Sequence, residues 1–249
     1  MSTRRDYAQL MERLNGALGA DCQLHTLAEI AGYPIVLVRR SLCDDVPTVL
    51  LTGGTHGDEP AGVEAALAFL QRDVADWLAH FSFEVIICLN AHGYVHNTRH
   101  NAQDVDVNWA WGRDDVPEIR VVKDWVRDRR FECVCDFHED WESQGFYLYE
   151  MRRGAPLMGT HVVASVGQVC PLNLSNEIEG LSAVGGVVLP DEARVKALRG
   201  EGVPIELYYG YTDHCLTVET PTEQSMDVRV AAHMAALDTV VAAHMPPGD

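Results

Sequence analysis

Between Val46 and Gly62 an apolar run, a glycine pair, a polar loop and a proline follow one another in an order that few folds accept. Val46 to Leu51 reads as a buried strand, which Gly53 and Gly54 stop abruptly. Pro60 then opens a helix at the first-turn position, where its missing N–H is harmless. A buried strand that feeds a helix through a tight loop is the repeating unit of an α/β sheet. The loop itself carries His56 and Glu59 three residues apart. Zinc accepts such a nitrogen and oxygen pair, and a catalytic zinc site needs one more protein ligand plus an open position for water.

The unit recurs along the chain. Phe83 to Asn90 is a second buried strand, ending in the turn Ala91-His92-Gly93, and Phe131 to Phe137 is a third, ending in His138-Glu139-Asp140. Leu216 to Pro221 is a further strand, stopped by its proline. Helical spacing runs through Asp6 to Leu18, Ala61 to Gln71, Pro117 to Arg130, Ala155 to Val169 and Gln224 to His244. Gln23 to Ala28 and Ile35 to Arg39 flank the turn signal Gly32-Tyr33-Pro34 and read as a hairpin. Phe146 to Met151 and Val187 to Leu189 are short strands. Tyr94 to Asp115 and Pro171 to Gly186 read as loops, the second offering Glu177 and Glu179 as a pocket wall. The expectation is one α/β domain over residues 1–249, an open mixed, largely parallel sheet with helices on both faces.

Acidic residues outnumber basic ones 37 to 19, a formal charge of −18. Nucleic acid and an anionic membrane surface both require a cationic footprint, so neither is expected as a partner. No apolar stretch reaches the ~18–20 residues of a membrane span. The charged start Met1-Ser2-Thr3-Arg4-Arg5-Asp6 lacks the apolar core of a signal peptide. The seven cysteines are an odd number without a CxxC pair, and Cys88, Cys133, Cys135 and Cys215 sit in apolar runs. Buried free thiols in a reducing cytoplasm fit that pattern best.

Strand ends on one edge of such a sheet converge on a shared crevice, where a third ligand is expected. His138 follows an apolar strand as His56 does, and alternation puts Asp136 on the same side of that strand. Glu219, among Leu216, Val218 and Pro221, is a partly desolvated carboxylate, with a pKa raised toward the range of a general base. The polar stretch Asn97 to Trp109 lies at another strand end. In it Arg99 offers a fixed positive charge for a developing oxyanion. Asp106 offers an acceptor for the second N–H of a ligand histidine, and Asn108 a polar group to orient a substrate. A lone histidine among eleven is usually a hydrogen-bonded surface residue. The set of His56, Glu59 and His138, with a base and an arginine beside it, points instead to one zinc ion and a hydrolase.

These residues resemble the zinc carboxypeptidases of the M14 type and their relatives, the aspartoacylase and succinylglutamate desuccinylase-like deacylases. The likeness runs in order through His56-Gly57-Asp58-Glu59, Asn90-Ala91-His92-Gly93, Asn97-Thr98-Arg99-His100-Asn101, Asp106-Val107-Asn108, Asp136-Phe137-His138 and Thr217-Val218-Glu219-Thr220-Pro221. It covers most of the chain from residue 33 onward. The resemblance implies a zinc-carboxypeptidase-like sheet and one Zn2+ held by His56, Glu59 and His138. It also implies Glu219 as general base and acid, Arg99 polarising the scissile carbonyl, and Asp106 behind a ligand histidine. A tyrosine before the last strand is implied to close over substrate. Tyr208, Tyr209 and Tyr211 are the candidates, with Tyr209 carried forward as substrate-binding.

The chain departs from that pattern at Asn108-Trp109, where the family has Asn-Arg and the arginine binds the substrate's terminal carboxylate. Trp109 makes no bidentate pair with a carboxylate. Either Arg113, Arg152 or Arg153 replaces the arginine, or the substrate presents an apolar or ring-like group there. The expected activity is zinc-dependent amide hydrolysis. Removal of a small peptide's C-terminal residue comes first, deacylation of an N-acyl amino acid second, and a non-catalytic metal-binding role third. The Gly53 to Gly62 loop lacks the Gly-Lys-Ser/Thr ending of a phosphate cradle. The absence of a G-x-S-x-G elbow argues against a serine hydrolase.

Overall fold

The apolar runs become neighbouring strands of one ten-stranded mixed sheet in a computed structural model that describes residues 4–189 and 191–246. Met1-Ser2-Thr3 of the charged start, and the C-terminal end of the expected domain at 247–249, lie outside the described residues. In chain order, α1 (Tyr7–Ala17) precedes the hairpin β1 (Cys22–Ile30) and β2 (Tyr33–Arg40), then β3 (Thr48–Gly53), α2 (Pro60–Gln71), α3 (Ala75–Leu78) and β4 (Ser82–Ile86). Next come α4 (Ala91–His96), a 3₁₀ turn (Val107–Trp109), α5 (Pro117–Val126), β5 (Cys133–Asp140) and β6 (Tyr147–Arg152). After α6 (Gly159–Val166) stand the short strands β7 (Glu177–Ile178), β8 (Leu181–Val184) and β9 (Val187–Val188). α7 (Glu192–Ala197), α8 (Val203–Tyr211), β10 (His214–Pro221) and α9 (Met226–His244) complete the order.

The strands lie in the order β1-β2-β4-β3-β5-β10-β6-β9-β8-β7. The central four, β4, β3, β5 and β10, are parallel, as expected of strands buried on both faces and joined by helices. β2 and β6 flank them in antiparallel pairing. From β3 the chain moves to β4 on one side, then crosses back to β5 on the other. Such a reversal opens a crevice beyond the carboxyl ends of the two strands it separates, here β3 and β5. Leu50, Leu51, Phe83 and Phe137 are fully buried in the core. α2, α6 and α9 pack together, α2 against β3 and β5, while α8 lies against β10 and β5. Phe137 meets His233 of α9 with ring centroids 4.8 Å apart, so alternation sends Asp136 and His138 to the opposite face.

Several elements differ from expectation for physical reasons. Residues 87–90 lie beyond β4, whose pairing with β3 ends at Thr52 and Ile86, and Leu89 and Asn90 instead donate to the carbonyls of Gly53 and Gly54. Ala91-His92-Gly93, expected as a turn, opens the helix α4, which takes in Tyr94 to His96 of the expected loop and is capped by Asn90, whose side chain accepts the Gly93 N–H at 2.9 Å. The helix after Pro117 ends at Val126, and Asp128 takes a left-handed φ of 60° just beyond it. The helix expected over Ala155 to Val169 is confined to Gly159–Val166. Pro171 to Gly186 is partly strand, with β7 and β8 paired around Glu179 and Gly180, both left-handed at φ 52° and 72°. The stretch 191–211, without a sequence assignment, folds as α7 and α8. No described helix is long and apolar enough to cross a membrane.

Candidate metal centre and its cavity

The loops at the crevice meet backbone to backbone. A Cβ on Gly57 would stand 1.9 Å from the Gly93 carbonyl carbon, so only glycine lets the His56 loop and α4 touch. Arg5 clamps both, donating to Gly57 O and Tyr94 O at 3.0 Å each and to Asn97 Oδ1 at 2.6 Å. Asn90 donates to Arg99 O at 3.0 Å while capping α4. Asn101 accepts the Gln103 and Val105 N–H groups at 3.0 Å each and donates to Glu118 at 2.9 Å, which fixes the return of the chain to Asp106.

His56, Glu59 and His138 are buried, and one ligand atom from each lies within 4.8 Å of the others. Glu59 spans the two histidines, with Oε1 2.6 Å from His56 Nδ1 and Oε2 2.8 Å from His138 Nδ1. Each Nε2 instead faces a second carboxylate, Asp106 at 3.0 Å from His56 and Asp136 at 2.9 Å from His138. All four ring nitrogens thus face carboxylates, which only accept; a cation between Glu59 and the two rings would leave each Nε2 its hydrogen for the outer carboxylate and turn each Nδ1 lone pair inward. The two Nδ1 atoms stand 3.2 Å apart. Ligands of a tetrahedral ion with ~2.0–2.1 Å bonds lie ~3.3 Å apart.

Two lone pairs and a carboxylate in one buried site require positive charge between them. Burial disfavours a charged His138, but Asp136 and Glu59 outweigh it and hold its pKa well above the ordinary imidazole range. Burial opposes charge on His56 as well, and Glu59 and Asp106 overcome it. Glu59 is pushed up by its burial, yet His138 and His56 hold it far below the usual carboxylate range. A divalent cation would take the place of those protons, so the donor set, the spacing of the two Nδ1 atoms and the outer carboxylates fit a metal ion.

Asp106 ties the centre to its surroundings. Its Oδ1 also accepts the Asn108 N–H at 3.0 Å, and its Oδ2 accepts Arg99 Nε at 2.9 Å. Arg99 Nη1 reaches Glu59 Oε1 at 3.4 Å. His56, Glu59, Arg99, Asn108, Trp109 and Glu219 all line one cavity of about 420 Å³. Glu219 stands beside His138 in register. It opens onto the cavity but is otherwise enclosed by protein. Burial, opposed by His138 and reinforced by Glu59, pushes its carboxyl up to about 8.

The remaining candidates separate. Trp109 lies against Gly202, where a Cβ would stand 2.9 Å from its Cζ3. Asn108 is buried, with its amide oxygen unpartnered among the described residues. Tyr209 is not a cavity residue: its ring lies 3.9 Å from the Arg199 guanidinium, Tyr208 packs under Arg153 at 4.4 Å, and Tyr211 meets Trp111 at 6.1 Å. The cause is the direction of α8. Its Pro204 and Ile205 line the cavity with Thr217 and Glu219, while Tyr208 O accepts from Arg153, which pairs with Asp213 at the start of β10. At ~1.5 Å per residue the tyrosines are carried several ångströms toward the far end of that strand.

The expected substitute arginines also lie elsewhere. Arg113 pairs with Asp115, Arg153 with Asp213, and Arg152 donates to Pro156 O. Of Glu177 and Glu179, Glu179 alone reaches the cavity lining. Tyr147, Tyr149 and Arg194 join that lining without a sequence expectation. Alternation along Tyr147, Tyr149 and Met151 was the available signal for the tyrosines. For Arg194 it was the spacing of Asp191, Arg194, Val195 and Leu198 at i, i+3, i+4 and i+7.

No protein-family profile matches the sequence, and no curated protein matches it. Solved structures match the fold over nearly its whole length. A protein of Shewanella denitrificans, provisionally named a metallopeptidase, superposes with a TM-score of 0.79 at 21% identity, over 95% of this chain and 88% of its own. A metallo-carboxypeptidase of Pseudomonas aeruginosa gives 0.69 at 17% identity, over 95% of this chain and 67% of its own. Carboxypeptidase A of Helicoverpa armigera gives 0.67 at 16% identity, over 97% and 73%. The chain has the fold of the metallo-carboxypeptidases.

Proposed function

We propose that this chain is a zinc metallohydrolase of amide bonds, a metallocarboxypeptidase that removes the last residue of small peptides and forms one catalytic domain. The observation that carries the reading is the convergence of His56, Glu59 and His138 at one centre, whose His56 and Glu59 line a cavity together with Glu219 and Arg99. The two-nitrogen, one-oxygen donor set favours zinc, with three protein ligands and a position left for water. Zinc bound there supplies Lewis acidity, which acidifies a water and polarises a carbonyl.

The chain's own groups do the rest. Glu219 takes a proton from the attacking water and returns it to the leaving nitrogen, and a carboxyl raised toward neutrality suits both transfers. Arg99, oriented by Asp106, donates to the carbonyl oxygen as charge develops on it. Asp106 and Asp136 keep the two histidines in the tautomer that leaves Nδ1 free to bind. Asn108 and Trp109 face the substrate from the 3₁₀ turn.

The peptidase names of the fold neighbours favour peptides over N-acyl amino acids. Free cysteines, most of them buried, favour a reducing cytoplasm. A hydrolysis screen of N-acyl dipeptides beside N-acyl amino acids tests the reading. Release of the C-terminal residue from the dipeptides is expected, and turnover of acyl amino acids alone would favour the deacylase.

A further inference from the structure

Two arginines stand among the residues that line the cavity. Arg99 is committed to Asp106 and Glu59. Arg194 is not: among the described residues, no carboxylate pairs with its guanidinium and no hydrogen bond engages it. α7 turns the face bearing Arg194, Val195 and Leu198 toward the cavity. Asp191, the nearest acid on that segment, caps the helix and accepts the Arg194 backbone N–H at 3.0 Å.

Arg194 is exposed at the rim of the cavity, whose lining combines the apolar Met151, Val188, Leu189 and Ile205 with carboxylates such as Glu179 and Asp191. Asn108 adds an amide whose oxygen is buried and unpartnered. The tryptophan turn also steadies the segment that carries Arg194. Trp109 packs on Gly202, and Trp111 N–H donates to Glu201 O at 2.8 Å, both between α7 and α8. The charge of Arg194 is felt inside the cavity. Burial, with Glu219, pushes the Tyr149 hydroxyl above its ordinary pKa, and Arg194 acts in the other direction.

A guanidinium without a partner, in a cavity that also offers apolar wall, is complementary to a carboxylate that it can grip through two N–H groups. We propose that Arg194 receives the terminal carboxylate of the substrate's last residue, whose aliphatic or aromatic side chain fills the apolar end of the cavity. This selects peptides with a free C-terminus and an apolar last residue, and it rests on the hydrolase reading above. A cation on α7 thereby does the work for which the turn at Trp109 has no charge.

The test is a binding measurement on zinc-loaded Glu219→Gln protein, which holds a substrate without turnover. Calorimetric titration compares benzoyl-glycyl-phenylalanine, its C-terminal amide, and benzoyl-glycyl-glutamic acid α-amide, which carries its carboxylate on the side chain. The free acid should bind at least ~10-fold more tightly than either amide, as hydrogen bonds to a charged group allow. Adding Arg194→Ala should erase that preference, and Arg194→Lys should keep part of it. Equal binding of acid and amide, or a preference unchanged by Arg194→Ala, overturns the proposal. Tighter binding of the side-chain carboxylate would overturn the terminal assignment. Failure of the wild-type protein to hydrolyse any peptide would instead strike the hydrolase reading, because these titrations do not depend on turnover.

Discussion

Asp106 touches His56, Arg99 and the Asn108 amide at once, so its charge is shared between holding a ligand and aiming an arginine. Asp106→Asn keeps an acceptor but removes that charge. Zinc affinity, read by competition with a chromogenic chelator, is expected to fall ~10–100-fold while the melting temperature of the metal-free protein stays close to wild type. Glu219 has a different role, enclosed by protein yet open to the cavity. Glu219→Gln should therefore bind zinc in the same amount and lose at least ~10²-fold in kcat. Equal turnover in this variant would remove Glu219 from the chemistry. The positions of both near the centre were legible in the sequence, Glu219 near a strand end among apolar neighbours and Asp106 in the polar stretch that also carries Arg99. Tyr209 stands outside the cavity lining, which the sequence did not show, since a sequence does not state which way a helix runs past a strand.

At the scale of elements, the site depends on loops that touch without side chains between them. Gly57→Ala puts a methyl group 1.9 Å from the Gly93 carbonyl carbon, and the facing atoms are backbone with no rotamer to change. The cost expected of such overpacking is about 1–3 kcal/mol, seen as a lowered urea midpoint, with a fall in kcat as Arg99 shifts from Asp106. An unchanged midpoint would mean that the two loops are not in contact. The parallel strands were readable because each holds an apolar run bounded by turn or polar residues, and His56 and His138 followed as residues just beyond two of those runs. β7 and β9 are only two residues long, too short for any period to show. α8, Val-Pro-Ile-Glu-Leu-Tyr-Tyr-Gly-Tyr, is apolar on most sides and so has no stripe to read. α7 did carry a pattern, the capping Asp191 with Val195 and Leu198 at helical spacing, and it brings in the second cavity arginine.

Over the whole molecule, the crossover from β4 to β5 places the ligand strands side by side, and the helices on the Phe137 face seal the back of the site. His233 of α9 is fully buried there, against Phe137 and within 3.3 Å of Thr220 Oγ1. Burial lowers its pKa to about 3. An unfolded histidine titrates near ~6.5, so the stability tied to this neutral side chain is complete above that value and is lost as pH falls toward the folded one. About 2 kcal/mol should be gone by pH 5, a drop of ~4–8 °C in melting temperature for a chain of this size. His233→Gln, whatever its constant offset in stability, should flatten that part of the pH dependence; an unchanged slope would show that His233 already carries its proton in the fold. The metal is central to the proposed chemistry. Metal-free protein titrated with zinc, while release of the C-terminal residue from an N-acyl dipeptide is followed, should gain activity linearly and level off at one ion per chain, and His138→Ala should neither bind tightly nor turn over. Hydrolysis that survives complete chelation, or zinc binding undiminished in His138→Ala, would contradict it.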